Sequence, residues 1–283
     1  MSIILYNSLF KLRITNLFKL LSYFIFHMKY FDAHIHLTDD HFSSYIDYIL
    51  SSLRSLKIRA CSVTVDITTS KNSLILFNNQ NDIITQFIGI HPEFALKDNI
   101  EEFKELFISN LKYIDGIGEI GLDPTYVTQN EIQYSNQKKV FQLLLELAEK
   151  YNKPVSLHSR KSIDEILKIL PSYKIKNSLL HWFNGNKKHL QKAMDMNIFV
   201  SYGPVLLYSP DKKVLLSRTH IDKLLVETDG PVRYSNCFNY LPSSSISHLL
   251  SVIKCIGDTL NLDFEDVSNL LKTNSENFLA KVI

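Results

Sequence analysis

Six residues able to bind a divalent cation stand near the ends of hydrophobic runs: His34, His36, Glu119, His158, His181 and Asp229. Two of these runs read Tyr30-Phe31-Asp32-Ala33-His34-Ile35-His36 and Leu224-Leu225-Val226-Glu227-Thr228-Asp229. Imidazoles and carboxylates at the carboxyl ends of successive strands are where an α/β barrel keeps its chemistry. The chemistry such a set supports is hydrolysis by a metal-activated water.

The individual signals differ in weight. His34-x-His36 puts two imidazoles on one strand face, because side chains repeat every second residue. Two polar residues on a half-buried strand would look the same. Glu119 lies in the apolar run Asp115-Gly116-Ile117-Gly118-Glu119-Ile120-Gly121-Leu122-Asp123. A carboxylate there is costly to bury without a cation or a hydrogen-bonded partner, and bridging two metals would meet that need. His158 and His181 each close a short apolar run, and Asp229 completes the set as a ligand that could also hold the attacking water and take its proton. Asp123 reads as an orienter of a ligand or as a cap on the next helix; Asp32 and Asp39 flank the histidine pair. The interval from His36 to Glu119 holds three strand–helix units, the next two intervals one each, and the last interval two.

Phosphate recognition has fewer pointers. Arg160, two residues after His158, could fork onto a phosphate. Lys187, Lys188 and Arg233 follow other strand ends, and His91 faces the metals, a phosphate or merely the rim. Trp182, Phe183, Tyr202 and Tyr234 lie on or near strand-end loops and could stack bases. Packing is the competing reading for each aromatic.

The elements that must position these residues alternate. Short β-branched and aromatic runs precede longer stretches with helical spacing, which points to repeated βα units and a parallel sheet. Eight strands are expected: 29–36, 60–66, 86–91, 116–123, 154–158, 178–182, 198–202 and 223–229. Helices are expected over 45–56, 101–111, 133–151, 246–260 and 264–272, among others. Closure as a (β/α)8 TIM barrel is preferred to an open sheet, because an open sheet separates the ends of strands 1 and 8. No Gly-x-Gly-x-x-Gly follows a strand, so a dinucleotide fold has no support.

Bulk properties agree. The 283 residues suit one barrel, which needs about 250, and 45% of them are hydrophobic. A formal net charge of +2 is too small to predict polyanion binding from the whole-protein field. The three cysteines lack a disulfide framework or metal spacing, which suits a cytoplasmic setting. In residues 1–27, Lys11, Arg13 and Lys19 interrupt the apolar run, so no membrane span and no membrane partner are expected. Residues 28–283 are expected to form a single domain, with Met28 as an alternative start and residues 1–27 as an extension.

Taken in order, Phe31-Asp32-Ala33-His34-Ile35-His36, Gly89-Ile90-His91-Pro92, Gly118-Glu119-Ile120-Gly121-Leu122-Asp123, Leu157-His158-Ser159-Arg160, His181-Trp182-Phe183-Asn184-Gly185 and Glu227-Thr228-Asp229-Gly230-Pro231 resemble the motifs of the TatD-type metal-dependent deoxyribonucleases, an amidohydrolase-like family. The resemblance runs from Tyr30 nearly to the carboxyl end. It implies two divalent ions held by His34, His36, Glu119, His158, His181 and Asp229, with Glu119 bridging and Asp229 and Glu119 catalytic. The ions are magnesium, manganese or zinc; four imidazoles favour a transition metal, whereas related nucleases are described with magnesium. Arg160, His91 and Asp123 are the expected substrate contacts. The implied activity is cleavage of DNA phosphodiester bonds, as a 3′–5′ exonuclease on single strands, with no obligate protein partner. The alternative is an amide or ester hydrolase, such as a D-aminoacyl-tRNA deacylase. Trp182 and Asn184 stand where the family often has Cys and Ser, Gly230 where Ala or Ser is usual, and Leu241-Pro242-Ser243-Ser244 where an Arg-Asn-Glu-Pro stretch is usual.

Overall fold

Each of the eight apolar runs forms a strand, and all eight pair in parallel and in sequence order. The computed structural model describes residues 28–96, 99–127, 131–237 and 248–280; residues 1–27 and the Leu241–Ser244 stretch lie outside them. The strands are β1 (Tyr30–Ile35), β2 (Ile58–Val63), β3 (Ile84–Ile88), β4 (Gly116–Gly121), β5 (Val155–His158), β6 (Ser178–Leu180), β7 (Phe199–Tyr202) and β8 (Leu224–Val226). A helix follows each of the first seven: α1 (Ile46–Leu56), α2 (Ile67–Leu76), α3 (Ile100–Ser109), α4 (Glu131–Lys150), α5 (Ile163–Ile169), α6 (Lys187–Asp195) and α7 (Pro210–Leu216). Two more, α8 (Leu249–Leu260) and α9 (Phe264–Leu279), follow β8. This is the (β/α)8 barrel. No helix among the described residues is long and apolar enough to cross a membrane.

Closure happens at the rim that carries the candidate ligands. Asp229 N donates to His34 O and His36 N donates to Gly230 O, both at 2.8 Å. Below them the buried Asp32 carboxylate accepts from Thr228 N at 3.0 Å and Thr228 Oγ1 at 2.6 Å, tying β1 to the end of β8. Asp32 therefore braces the seam between first and last strands.

Most strands stop earlier than their apolar runs predict, and in β2, β3 and β4 the reason is capping. Asp66 leaves β2 to accept from Thr69 N at 2.7 Å in a capping box on α2. His91 and Asp123 cap the short helical turns Pro92–Phe94 and Pro124–Tyr126 in the same way. Capping satisfies backbone donors that the first helical turn leaves without partners. Two strands also begin two residues earlier than expected. Arg59 in β2 reaches the carbonyls of Asn81 and Asp82, and Ile84 and Thr85 in β3 pair with Ala60 and Cys61 of β2. Polar residues with such partners can enter a buried strand.

The interior is built from Phe31, Ala33, Cys61, Val63, Phe87, Leu179, Phe199 and Leu225, plugged by Phe278 and Leu279 of α9. The remaining apolar strand faces pack outward against the helices. Simple alternation fails once in β1. Ala33 joins the inner cluster and Ile35 the outer, and the pairing with β2 shifts between Asp32 and Ile35. An irregularity of this kind re-aims side chains next to a site, and here it lets His34 and His36 converge.

Helix α9 runs seven residues beyond the expected stop at Lys272. The extension contains Thr273-Asn274-Ser275, a polar run that reads as a helix end. Asn274 is instead buried, and its Nδ2 donates to Ile221 O at 2.7 Å and Leu224 O at 2.8 Å. Replacing Asn274 with Ala strands both carbonyls. The expected cost is about 1–3 kcal/mol, read as a melting temperature lower by roughly 2–4 °C per kcal/mol with turnover unchanged. A melt identical to the unsubstituted protein would contradict this role.

Candidate metal centre

All six candidate ligands converge at the carboxyl-terminal rim. His34 Nε2 lies 3.3 Å from His36 Nε2, and the two face Asp229 Oδ1 at 3.7 and 3.4 Å. The same two nitrogens face Glu119 Oε2 at 3.5 and 3.4 Å. On the other side of that carboxylate, Oε1 meets His158 Nδ1 and His181 Nε2, both at 2.7 Å. The His181 ring stacks on His34 with centroids 3.8 Å apart. Glu119 thus offers one oxygen to each of two imidazole pairs.

Neighbours fix how the rings present themselves. His36 Nδ1 donates to Val63 O at 3.0 Å, and because a carbonyl only accepts, a neutral His36 turns an unprotonated Nε2 into the site. His34 Nδ1 pairs with Ser156 Oγ at 2.9 Å. Ser156 escaped the sequence reading, although it lies two residues before His158 on the same strand. His158 Nε2 meets Asp123 Oδ2 at 2.8 Å, which orients the ring and leaves Nδ1 toward Glu119. Of the readings open for Asp123, orienter, helix cap or substrate contact, the first two describe its geometry: it is fully buried, one oxygen orients His158 and the other accepts from Thr125 N and Oγ1.

Without a cation, this cluster holds protons. Burial alone would lower His36, but its hydrogen bond to Asp229 and the charge of Glu119 raise it to about 9. Burial also works against His158, yet bonds to Asp123 and Glu119 raise it to about 9. His34 falls to about 4 through burial and then the charge of His181. Glu119 sits well below the usual carboxylate range: burial would raise it, but the charges of His181 and His91 and bonds from His158 and His181 prevail.

The donor set suits a divalent cation. Ligand atoms of His34, His36 and Asp229 lie within 4.8 Å of one another, and His158 Nδ1 and His181 Nε2 each lie 2.7 Å from Glu119 Oε1. His181 Nδ1 is buried without a hydrogen-bond partner. Facing imidazole nitrogens need a proton or a cation between them, and a metal replaces the protons. At pH 7 His36 and His158, raised to about 9, are charged in the metal-free protein, and, against burial, the charge of Glu119 raises His181 as well. Metal binding is therefore expected to release at least about two protons per chain, with affinity climbing as pH rises towards 9 and falling as pH drops. Calorimetry in buffers of different ionisation enthalpy measures this; binding without proton release would contradict the assignment.

Around the centre opens a cavity of about 690 Å³. His36, Glu119, His158, His181 and Asp229 line its floor, with Phe94, Tyr126, Trp182 and Asn184 among the walls. Arg160 lines it too, whereas Lys187, Lys188 and Arg233 do not. His91 lies on the wall, with Nδ1 accepting from Glu93 N at 3.2 Å and Nε2 3.7 Å from Glu119 Oε1. That tautomer makes Nε2 a donor rather than a ligand. Of the four aromatics expected to stack bases, only Trp182 reaches the cavity. Phe183, Tyr202 and Tyr234 are 1%, 2% and 3% exposed and are packing residues.

A parallel eight-stranded barrel with this histidine and carboxylate cluster at its carboxyl-terminal rim defines a metal-dependent hydrolase. The family model described as TatD related DNase matches residues 31–280, and the chain belongs to that family. It is 26% identical over 254 residues to the uncharacterized metal-dependent hydrolase YabD of Bacillus subtilis, covering 87% of this chain and 97% of that one. It is 25% identical over 219 residues to human deoxyribonuclease TATDN3, covering 71% of this chain and 77% of the relative. The crystal structure of YjjV, a TatD homologue of Escherichia coli, superposes with a TM-score of 0.79 at 20% identity. That superposition spans 89% of this chain and 98% of YjjV.

Proposed function

We propose that the chain hydrolyses phosphodiester bonds at DNA ends, removing nucleotides stepwise from the 3′ end of single strands. The observation that carries this reading is the Glu119 carboxylate, with one oxygen toward His34 and His36 and the other toward His158 and His181. A carboxylate so placed would hold a cation on each side, and paired cations would stabilise both the attacking and the leaving oxygen of in-line phosphoryl displacement.

The ligands in this reading are His34, His36, Glu119, His158, His181 and Asp229. Bound divalent ions supply Lewis acidity, lowering the pKa of water and balancing charge on the phosphoryl oxygens. The chain's own groups do the rest. Asp229 Oδ1, at the floor of the cavity, accepts the proton of the attacking water. Arg160 forks onto a non-reacting phosphate oxygen. His91 Nε2–H donates toward the same charge, its tautomer set by Glu93 N. Asp123 holds the His158 ring in place.

Every group in this scheme comes from this chain. Residues 28–283 act as one catalytic domain; Met28 is already buried in the core. The three cysteines are free, which fits a cytoplasmic enzyme.

The test is hydrolysis of end-labelled single-stranded DNA with magnesium, manganese or zinc, with chelator and Glu119→Ala as controls. Stepwise shortening from the 3′ end that needs both metal and Glu119 is the expected result. Metal-loaded protein that leaves DNA intact and cleaves an amide or carboxylic ester would overturn the reading in favour of a deacylase.

A further inference from the structure

Trp182 is the chain's only tryptophan, and it lines the cavity beside the candidate ligand His181. Its backbone φ is +39°, a region that bulky L-residues rarely adopt. Strain of this kind persists only where the surroundings impose it, and it concentrates at functional sites.

Those surroundings are on view. Trp182 N donates to Glu227 Oε1 at 2.7 Å, and the other oxygen of the fully buried Glu227 accepts from Ser201 Oγ at 2.5 Å. The next residue is tied to the same strand, Phe183 N donating to Ser201 O at 3.1 Å. Lys212 Nζ donates to Phe183 O and, at 3.0 Å, to Asn184 Oδ1. The indole leans on Tyr234, with ring centroids 5.5 Å apart and planes at 35°, and Tyr234 Oη donates to Thr228 O at 2.8 Å. Strands β7 and β8 and helix α7 thus hold a three-residue wall, two of whose side chains, Trp182 and Asn184, border the cavity. Because Lys212 takes the Asn184 oxygen, the amide Nδ2 is left as a donor.

The charge around the cavity sharpens the point. Among the described lining residues, Arg160 is the only lysine or arginine, while Asp39 and Glu93 add carboxylates beyond those at the centre. Such walls hold a polyanion poorly once past the reacting phosphate. Affinity for the rest of a nucleotide must then come from an aromatic face, and the volume, about 690 Å³, is that of a small-ligand pocket.

Resting on the phosphodiesterase reading, we propose that Trp182 is the base platform of this site. The base of the end nucleotide stacks on the indole, Asn184 Nδ2–H donates to its edge, and Glu227 and Lys212 are positioning residues that hold the wall. The substrate class is a strand end that still carries its base. A stacked base contributes roughly 5- to 150-fold in binding.

The single tryptophan provides the readout. Magnesium-loaded protein is titrated with a deoxynucleoside 5′-monophosphate and, separately, with deoxyribose 5-phosphate, while tryptophan emission is followed. Saturable quenching by the nucleotide, at least about 5-fold tighter than any response to the base-less sugar phosphate, is expected. Matching responses, or none to the nucleotide, would overturn the platform. In turnover, the unsubstituted protein is expected to prefer a normal 3′ nucleotide to an abasic one. Trp182→Ala should bring that ratio close to one, and Trp182→Phe should keep much of it. Equal cleavage of normal and abasic ends by the unsubstituted protein refutes the platform and leaves the phosphodiesterase reading intact. If neither end is cut, that reading fails, and the emission comparison still decides whether a base stacks on Trp182.

Discussion

Glu119→Gln is expected to lower kcat/KM for phosphodiester hydrolysis by about 1,000-fold or more, equivalent to a loss of about 4 kcal/mol of transition-state stabilisation. The substitution is nearly isosteric, so the barrel should fold and melt cooperatively. What changes is charge and donor pattern. One carboxylate oxygen becomes an NH2 group that donates towards His34 and His36, or towards His158 and His181, depending on the amide's orientation. Neither orientation can bind a cation on both sides. The variant should therefore bind fewer ions and release fewer protons on doing so, because Glu119 helps raise both His36 and His158. Steady-state kinetics on reconstituted protein, with metal content measured on the same sample, tests both parts. A variant that keeps its metals and loses less than about 10-fold in kcat/KM would remove Glu119 from the centre of the account.

Asp229→Asn separates proton transfer from backbone geometry. Asp229 has φ +52°, and its N–H closes the barrel seam on His34 O. Asparagine tolerates that left-handed conformation better than other non-glycine residues, so the seam and the positions of His34 and His36 should survive. The amide cannot take a proton from water. General-base catalysis contributes about 100- to 10,000-fold, and the expected loss in kcat lies in that range with KM little changed. Asp229→Ala should additionally lose thermal stability, because a Cβ without a compensating polar group is strained at that φ. If Asn matched the unsubstituted kcat, another group would have to accept the proton.

The strands and the six clustered residues were legible because each chemical residue lies in or at the end of an apolar run, and runs of that texture form parallel strands. What escaped was decided by partners remote in sequence. The start of β3 was hidden by Thr85, whose polar side chain reads as loop although Ile84 and Thr85 pair with Ala60 and Cys61 of β2. The end of α9 was hidden by Asn274, whose carbonyl partners lie on the loop before β8 and in its first residue. The direction of a side chain was equally invisible. Trp182 and Tyr202 both sit near strand ends, yet one borders the cavity and the other bonds Thr219 Oγ1. Strand periodicity predicted that His34 and His36 share a face, but not the break after Ala33 that brings them to the interior. The brace on Trp182 joins Glu227, Ser201 and Lys212 from three separate elements, and no local pattern could have announced it.

The most direct test of the central claim is the number of divalent ions bound per chain, counted by mass spectrometry on protein stripped with chelator and reloaded. Hydrolysis of a phosphodiester is assayed on the same samples. The account predicts two ions per chain in the unsubstituted protein, fewer in Glu119→Gln, and activity that disappears and returns with the metal. Hydrolysis that persists in fully stripped protein, or a reloaded chain that holds no ion, would contradict it.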